Sequence, residues 1–158
     1  MKQDKLKLAY YAGFIDGEGS FIVIKRNYPN GRFKQGVQLS GKITVSNTYK
    51  PVLEEMQEYF DEGCVWKNNR GIKNHKIGYR FDISRFDGII KTIEQLLPFL
   101  KEKKERAEIL LQFCKRRKSL CTKKGKGHPY IVEDFEDYFL MRKLNKRGTT
   151  PYRRGPTF

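Results

Sequence analysis

The stretch AYYAGFIDGEGSF, Ala9 to Phe21, decides how this chain folds. It reads as the end of an apolar helix that runs into a strand. Yet it sets Gly13 and Gly17 one turn apart and places Asp16 and Glu18 at the helix end. Both choices are unfavourable. An interior glycine costs a helix about 1 kcal/mol relative to alanine. An acid at the C-terminus faces the negative end of the helix dipole, at a cost of about 0.5 kcal/mol. Glycines one turn apart do let two backbones approach closely. Ala9, Ala12 and Gly13, with Asp16 at the end, therefore mark one side of a tightly packed helix pair. No second helix of this kind occurs in the sequence, so the partner is expected from a second copy across a twofold axis.

Working outward, the hydrophobic pattern supplies the rest. Asp4 reads as the N-cap of a helix from Lys5 to about Asp16. VQLSGKITVSN, Val37 to Asn47, alternates apolar and polar residues, the period of a strand with one covered face. Phe21 to Lys25 is a second β-rich run, and Pro29-Asn30-Gly31 is a turn signal between the two. CVWKNNRG and IGYRFDI repeat the hairpin plan, with Tyr79, Phe81 and Ile83 alternating with Gly78, Arg80 and Asp82. Helices are expected from Pro51 to Phe60, with proline near the first position, and from Phe86 to Leu97, stopped by Pro98. Two more follow, from Lys101 to about Lys118 and from Val132 to Leu144. The order is α-ββ-α-ββ-α plus C-terminal helices. That is an α+β fold, with an antiparallel sheet and its helices on one face. Residues 1–145 form one domain, and residues 146–158 a basic tail.

The 158 residues carry 33 Lys and Arg against 18 Asp and Glu, a formal charge of +15. That much like charge opposes compaction unless a polyanion is near. The charge is also unevenly placed. Phe21 to Leu53 holds no acid, and neither does Cys64 to Phe81. These two zones are the two hairpins, so the open face of the sheet is polar and basic. A two-stranded ribbon fits the major groove of DNA, and strands of about ten residues span roughly one DNA turn. Double-stranded DNA is the expected partner. An anionic membrane surface is the weaker alternative, since no basic amphipathic segment stands alone, and no apolar run approaches the roughly 20 residues of a spanning helix. The face should present Arg26, Arg32, Lys34, Gln38, Ser40, Lys42, Thr44, Asn68, Arg70 and Arg80 to the DNA. Trp66 joins them there or packs at the sheet edge. Cys64, Cys114 and Cys121 lack metal-ligand spacing and read as reduced thiols. His75 and His128 are isolated and read as loop or phosphate-contact residues, not metal ligands.

A twofold through the first helix would bring Asp16 and Glu18 of both copies beside the sheet. Carboxylates next to a phosphate backbone repel it unless a cation lies between. Mg²⁺ suits such a place, because it takes few carboxylates and completes its shell with water and phosphate oxygens.

The nine residues YAGFIDGEG, Tyr11 to Gly19, resemble the signature of the LAGLIDADG homing endonucleases, matching at Ala12, Gly13, Ile15, Asp16 and Gly19. The order of elements is similar too, over about residues 5 to 120. One motif, not two, resembles the homodimeric branch. The resemblance implies site-specific hydrolysis of both DNA strands at a long pseudo-palindromic site, leaving 3′ overhangs, with Mg²⁺ or Mn²⁺. It implies Glu18 and the Gly17 carbonyl as metal ligands and Asn47 as part of a solvent network. Lys103, in LPFLKEKK, would be an electrostatic helper in catalysis. It also implies intron encoding and residence in the compartment holding the target DNA, an organelle or a bacterial or archaeal cytoplasm. The alternative is an inactive relative acting as an RNA-splicing maturase on its own intron RNA, or as a DNA-binding protein. The basic run Cys114 to Pro129 is expected to contact DNA backbone outside the central site.

Overall fold

The computed structural model describes residues 2–30, 35–68, 77–120 and 128–146. Its elements are α1 (Lys2–Glu18), β1 (Gly19–Asn27), β2 (Val37–Asn47), α2 (Lys50–Phe60), β3 (Cys64–Asn68), β4 (Gly78–Ile83), α3 (Phe86–Leu96), α4 (Lys104–Leu120) and α5 (Val132–Leu144). The two hairpins join through their second strands, giving a four-stranded antiparallel sheet in the order β1-β2-β4-β3.

Alternation sorts the strands into two faces. Phe21, Val23, Leu39, Ile43, Val45, Phe81 and Ile83 are buried. They meet Ala12 and Ile15 of α1, Leu53 and Met56 of α2, Ile89 and Ile93 of α3, and Leu110 and Phe113 of α4 in one core. Each fully buried side chain of this size contributes about 2 kcal/mol. Residues of opposite parity face away from this core, and the site is built on them.

Boundaries differ from the sequence reading in informative ways. α1 begins at Lys2, so Asp4 lies inside its first turn and is not the N-cap. α1 also runs on through Gly17 to Glu18 and turns directly into β1. Glycine is required at that corner: a Cβ on Gly19 would stand 2.8 Å from the Ile15 carbonyl oxygen. β1 is longer than the run from Phe21 to Lys25, and α4 starts at Lys104, after a turn at residues 101–103.

The turn from α2 to β3 is tight. Asp61 has a φ of 51° and Gly63 a φ of 81°. A Cβ on Gly63 would lie 2.5 Å from the Asp82 carbonyl oxygen and 2.8 Å from the Phe81 ring. Left-handed backbone and overlap with another strand's backbone act together here. Gly63→Ala is expected to destabilise the chain by about 3 kcal/mol, measured by urea denaturation. A loss under about 1 kcal/mol would contradict the turn geometry.

α4 and α5 are joined by a buried ionic network. Asp134, 0% exposed, accepts from Arg116 Nε at 2.9 Å, Arg117 Nη1 at 3.1 Å and the Ile131 N–H at 3.1 Å. Arg116 also pairs with Asp137. Arg117, 4% exposed, donates to the His128 and Pro129 carbonyls and lies 4.4 Å over the Tyr130 ring. On the same helix Lys115 pairs with Glu94 at 2.6 Å, and Lys118 pairs with Asp87. The first four cations of the basic run have acidic partners within the chain, because α4 extends through them and turns them towards α3 and α5, while Lys115 and Lys118 stay more than half exposed. Residues 121–127, with Cys121, lie outside the described residues. So does the tail beyond residue 146.

Cys64 and Cys114 are free thiols. Burial pushes the Cys114 thiol up to about 12, which keeps it protonated and inert. Among the described residues, no helix is long and apolar enough to cross a membrane.

Candidate nucleic-acid interface and helix-end site

Register places the outer face residue by residue. Arg26 is opposite Gln38, Ile24 opposite Ser40, Ile22 opposite Lys42 and Ser20 opposite Thr44. Across the next seam, Thr44 is opposite Asp82 and Ser46 opposite Arg80. Across the last, Arg80 is opposite Trp66, Asp82 opposite Cys64, and Gly78 opposite Asn68. Directly opposed residues share a face. Arg26, Gln38, Ser40, Lys42, Thr44, Trp66, Asn68 and Arg80 therefore share the face turned away from the helices. Trp66 is 57% exposed there. Arg32, Lys34, Arg70 and His75 lie outside the described residues.

A groove of about 930 Å³ lies against this face, lined by Arg26, Ser40, Lys42, Trp66 and Asp82 and, from α2 and the turn after it, by Glu54, Glu58, Asp61 and Glu62. Its chemistry is mixed. Arg26 is exposed, while Gln38 accepts from the Tyr28 hydroxyl at 3.3 Å. Lys42 is bonded to Asp82 at 2.7 Å. That ion pair was not foreseen, although the alternation of Gly78, Arg80 and Asp82 already set Asp82 on the polar side.

The end of α1 resolves the problem of its acids. Asp16 accepts from the backbone N–H of Lys101 at 2.8 Å and of Lys103 at 3.0 Å. Its carboxylate thus satisfies donors just ahead of α4. The exchange is reciprocal. Lys103 Nζ donates to the carbonyls of Ile15 at 3.1 Å and Asp16 at 2.5 Å, with Gly17 at 3.4 Å. An ammonium on the last carbonyls of a helix offsets the dipole, which answers the placement of acids there. Burial, the largest influence, pushes the Lys103 ammonium below the ordinary lysine range, against the attraction of Glu102. Lys103→Met should lower stability by about 1 kcal/mol, read from urea midpoints. An unchanged midpoint would mean that the cap contributes nothing.

Lys103, Gly17 and Glu18 thus meet at one helix end. Asn47 stands at the same end of the sheet, two residues past the Gly19–Val45 pair. Its Oδ1 accepts the Tyr49 N–H at 2.8 Å, so part of this amide serves the turn into α2.

Of the residues expected to pack against a second copy, Ala12 faces inward, fully buried in the chain's own core. It belongs to this chain's packing and not to an exposed surface. Ala9, Gly13 and Gly17 are exposed, alongside Leu6 and Tyr10, two large exposed side chains of the same helix. A Cβ added at Gly13 or Gly17 would meet nothing within 4 Å. The chain's own packing does not require glycine at either position. Asp16 is engaged within its own chain.

The described residues contain no group of three or more His, Cys, Asp or Glu able to hold a metal ion. One chain offers the exposed Glu18 carboxylate and the adjoining Gly17 carbonyl. These are hard oxygen donors of the kind Mg²⁺ takes, but too few for a closed site. They suit half of a shared donor set completed by phosphate and water.

Comparison with known proteins agrees with this geometry. A family model described as LAGLIDADG endonuclease matches residues 11–120. The chain is 31% identical over 116 residues to the DNA endonuclease I-CvuI of Chlorella vulgaris, covering 72% of this chain and 66% of that protein. It is 29% identical over 111 residues to the DNA endonuclease I-CreI of Chlamydomonas reinhardtii, covering 70% of this chain and 64% of that one. The match thus spans just under two thirds of these relatives. Among solved structures, the archaeal intron-encoded homing endonuclease I-Vdi141I complexed with DNA superposes with a TM-score of 0.75 at 21% identity, covering 94% of this chain and 90% of that one. I-CvuI in complex with the I-CreI target gives 0.64 at 22% identity, covering 92% and 98%. These two likenesses establish the fold. The motif at the end of α1, the sheet it feeds and the family match across both hairpins lead to one conclusion: this chain belongs to the LAGLIDADG endonuclease family.

Proposed function

We propose that the protein is a site-specific DNA endonuclease that works as a homodimer on a long, near-palindromic duplex. The observation that carries this reading is the shared outer face. Arg26, Gln38, Ser40, Lys42, Thr44, Trp66, Asn68 and Arg80 fall together by register, with Glu18 on the helix leading into the first of their strands. Arginine and amide side chains on such a face suit base edges in the major groove.

Two copies would pair through the exposed side of α1, where Ala9, Gly13 and Gly17 allow close approach. That pairing brings two Glu18 carboxylates together on the axis, each with its Gly17 carbonyl. Mg²⁺ or Mn²⁺ held there would supply Lewis-acid stabilisation of charge and a water of lowered pKa. The chain's own part is to fix the carboxylates at the junction of α1 and β1 and to hold the sheet's register on the bases. Lys103, whose Nζ lies on the carbonyls of this helix end, would help neutralise negative charge developing on the phosphate. The products would be 3′-overhanging ends, formed in the compartment that holds the target DNA. Leads for that target come from the relatives, which are named as DNA endonucleases or solved with DNA.

The test is a plasmid library carrying randomised near-palindromic sites, incubated with the protein in Mg²⁺ or in Ca²⁺, with all new ends sequenced. Double-strand breaks at one near-symmetric motif, in Mg²⁺ only, are expected. A bound motif without breaks in either ion would reject the nuclease reading in favour of a binding protein.

A further inference from the structure

We propose that Asp82 is a specificity-determining residue that withholds Lys42 from the DNA backbone. The inference rests on the reading of the outer face as the DNA-binding surface and adds to it the role of an acid within that face. Every candidate contact residue on the strands is basic or neutral. Asp82 is the one acid on the four described strands, near the middle, opposite Thr44 on β2 and Cys64 on β3, whereas Glu54, Glu58, Asp61 and Glu62 line the groove from α2 and the turn after it.

A carboxylate facing DNA repels phosphate, so it needs a reason to be there. Its Oδ2 is 2.7 Å from Lys42 Nζ, and both side chains are largely buried. Lys42 is the diagonal neighbour of Asp82 across the seam between β2 and β4, within reach of a long side chain. On its other side Lys42 faces Ile22, which offers no partner. Thus Asp82 is the acid that holds this ammonium down on the sheet.

The consequence lies in how charge and sequence are read. A free lysine on this face would bind any phosphate and strengthen binding to all sequences alike. Tied to Asp82, it adds no net charge to the middle of the face. Ser40, the neutral group beside it on β2, then contributes to recognition without a competing charge, whereas the Thr44 hydroxyl is buried. The pair lowers affinity for unrelated DNA more than affinity for the target.

The test compares wild type, Asp82→Asn and the double variant Asp82→Asn/Lys42→Gln on two duplexes, one recovered from the randomised library and one scrambled. Affinity is measured across roughly 50 to 200 mM salt. Asp82→Asn should steepen the slope of log affinity against log salt by about 0.9, bind the scrambled duplex several-fold more tightly and narrow the ratio between the two duplexes. The double variant should return the slope to that of wild type. Asp82→Ser should behave as Asp82→Asn does, so a folding defect in one variant leaves the test standing. Glu136→Gln makes the same charge change on α5 and should leave the slope alone.

A slope unchanged by Asp82→Asn, or steepened as much by Glu136→Gln, overturns the inference. Wild type that prefers neither duplex overturns instead the reading of the face on which it rests.

Discussion

Glu18→Gln is expected to abolish strand cleavage, by more than about 10²-fold, while leaving affinity for the target duplex within about twofold of wild type. Two features of the structure separate these effects. Glu18 ends α1 beyond the core and makes no packing contribution that glutamine would lose, since it is exposed. It also lies outside the strand positions that present Arg26, Gln38 and Lys42. The substitution keeps the shape and one acceptor oxygen but removes the negative charge that would hold a divalent ion. Gel-shift affinity and cleavage rate, measured on the same duplex, give both quantities. Equal losses in binding and cutting would mean that Glu18 acts on DNA contact or folding and not as a metal ligand.

Asp134→Ala is expected to destabilise the chain by about 4 kcal/mol, lowering the melting temperature by roughly 10 °C. Asp134 joins Arg116, Arg117 and the start of α5 through three hydrogen bonds. Arg117 is buried, and the variant leaves it with carbonyl oxygens and the Tyr130 ring but no anion. Breaking one partner of a buried pair costs far more than removing both, because the remaining charge stays out of water uncompensated. The loss should reach the sheet as well. Asn145, just past α5, donates to the Phe21 carbonyl of β1, and Tyr130 donates to the Leu39 carbonyl of β2. A melting shift under about 3 °C would show that the network is not the tie between α4 and α5.

The fold was legible where the physics is local. The period of VQLSGKITVSN set both faces of β2, and that reading predicted the outer positions Gln38, Ser40, Lys42 and Thr44. The order of elements followed from the two acid-free hairpins and the apolar helices between them. What escaped was long-range. Asp16 bonds to residues 101 and 103, and Arg117 bonds to Asp134. No spacing rule within a helix or strand links positions so far apart. The Cys114–Pro129 run reads as a contact to DNA backbone because it is basic and free of acids. Helical geometry instead spreads Lys115 to Lys118 around α4, where Glu94, Asp87, Asp134 and Asp137 wait on neighbouring helices.

Ala12 is instructive for the same reason. Small residues at 9, 12, 13 and 17 look alike in a sequence, yet helical rotation divides them. Ala12 turns to the core with Tyr11 and Ile15, while Gly13 and Gly17 turn away to open space. The signature therefore packs one side inside the chain and leaves small residues on its exposed side, where the proposed pairing would take place.

That exposed side is the centre of the account, because a single chain supplies only one Glu18. The most direct measurement is the mass, by light scattering, of the protein bound to the duplex recovered from the library. Two chains per duplex are predicted, with the dimer lost when Gly13→Leu fills the exposed face of α1 while the circular dichroism of the chain stays unchanged. One chain per duplex, cutting both strands, would contradict the shared helix-end site.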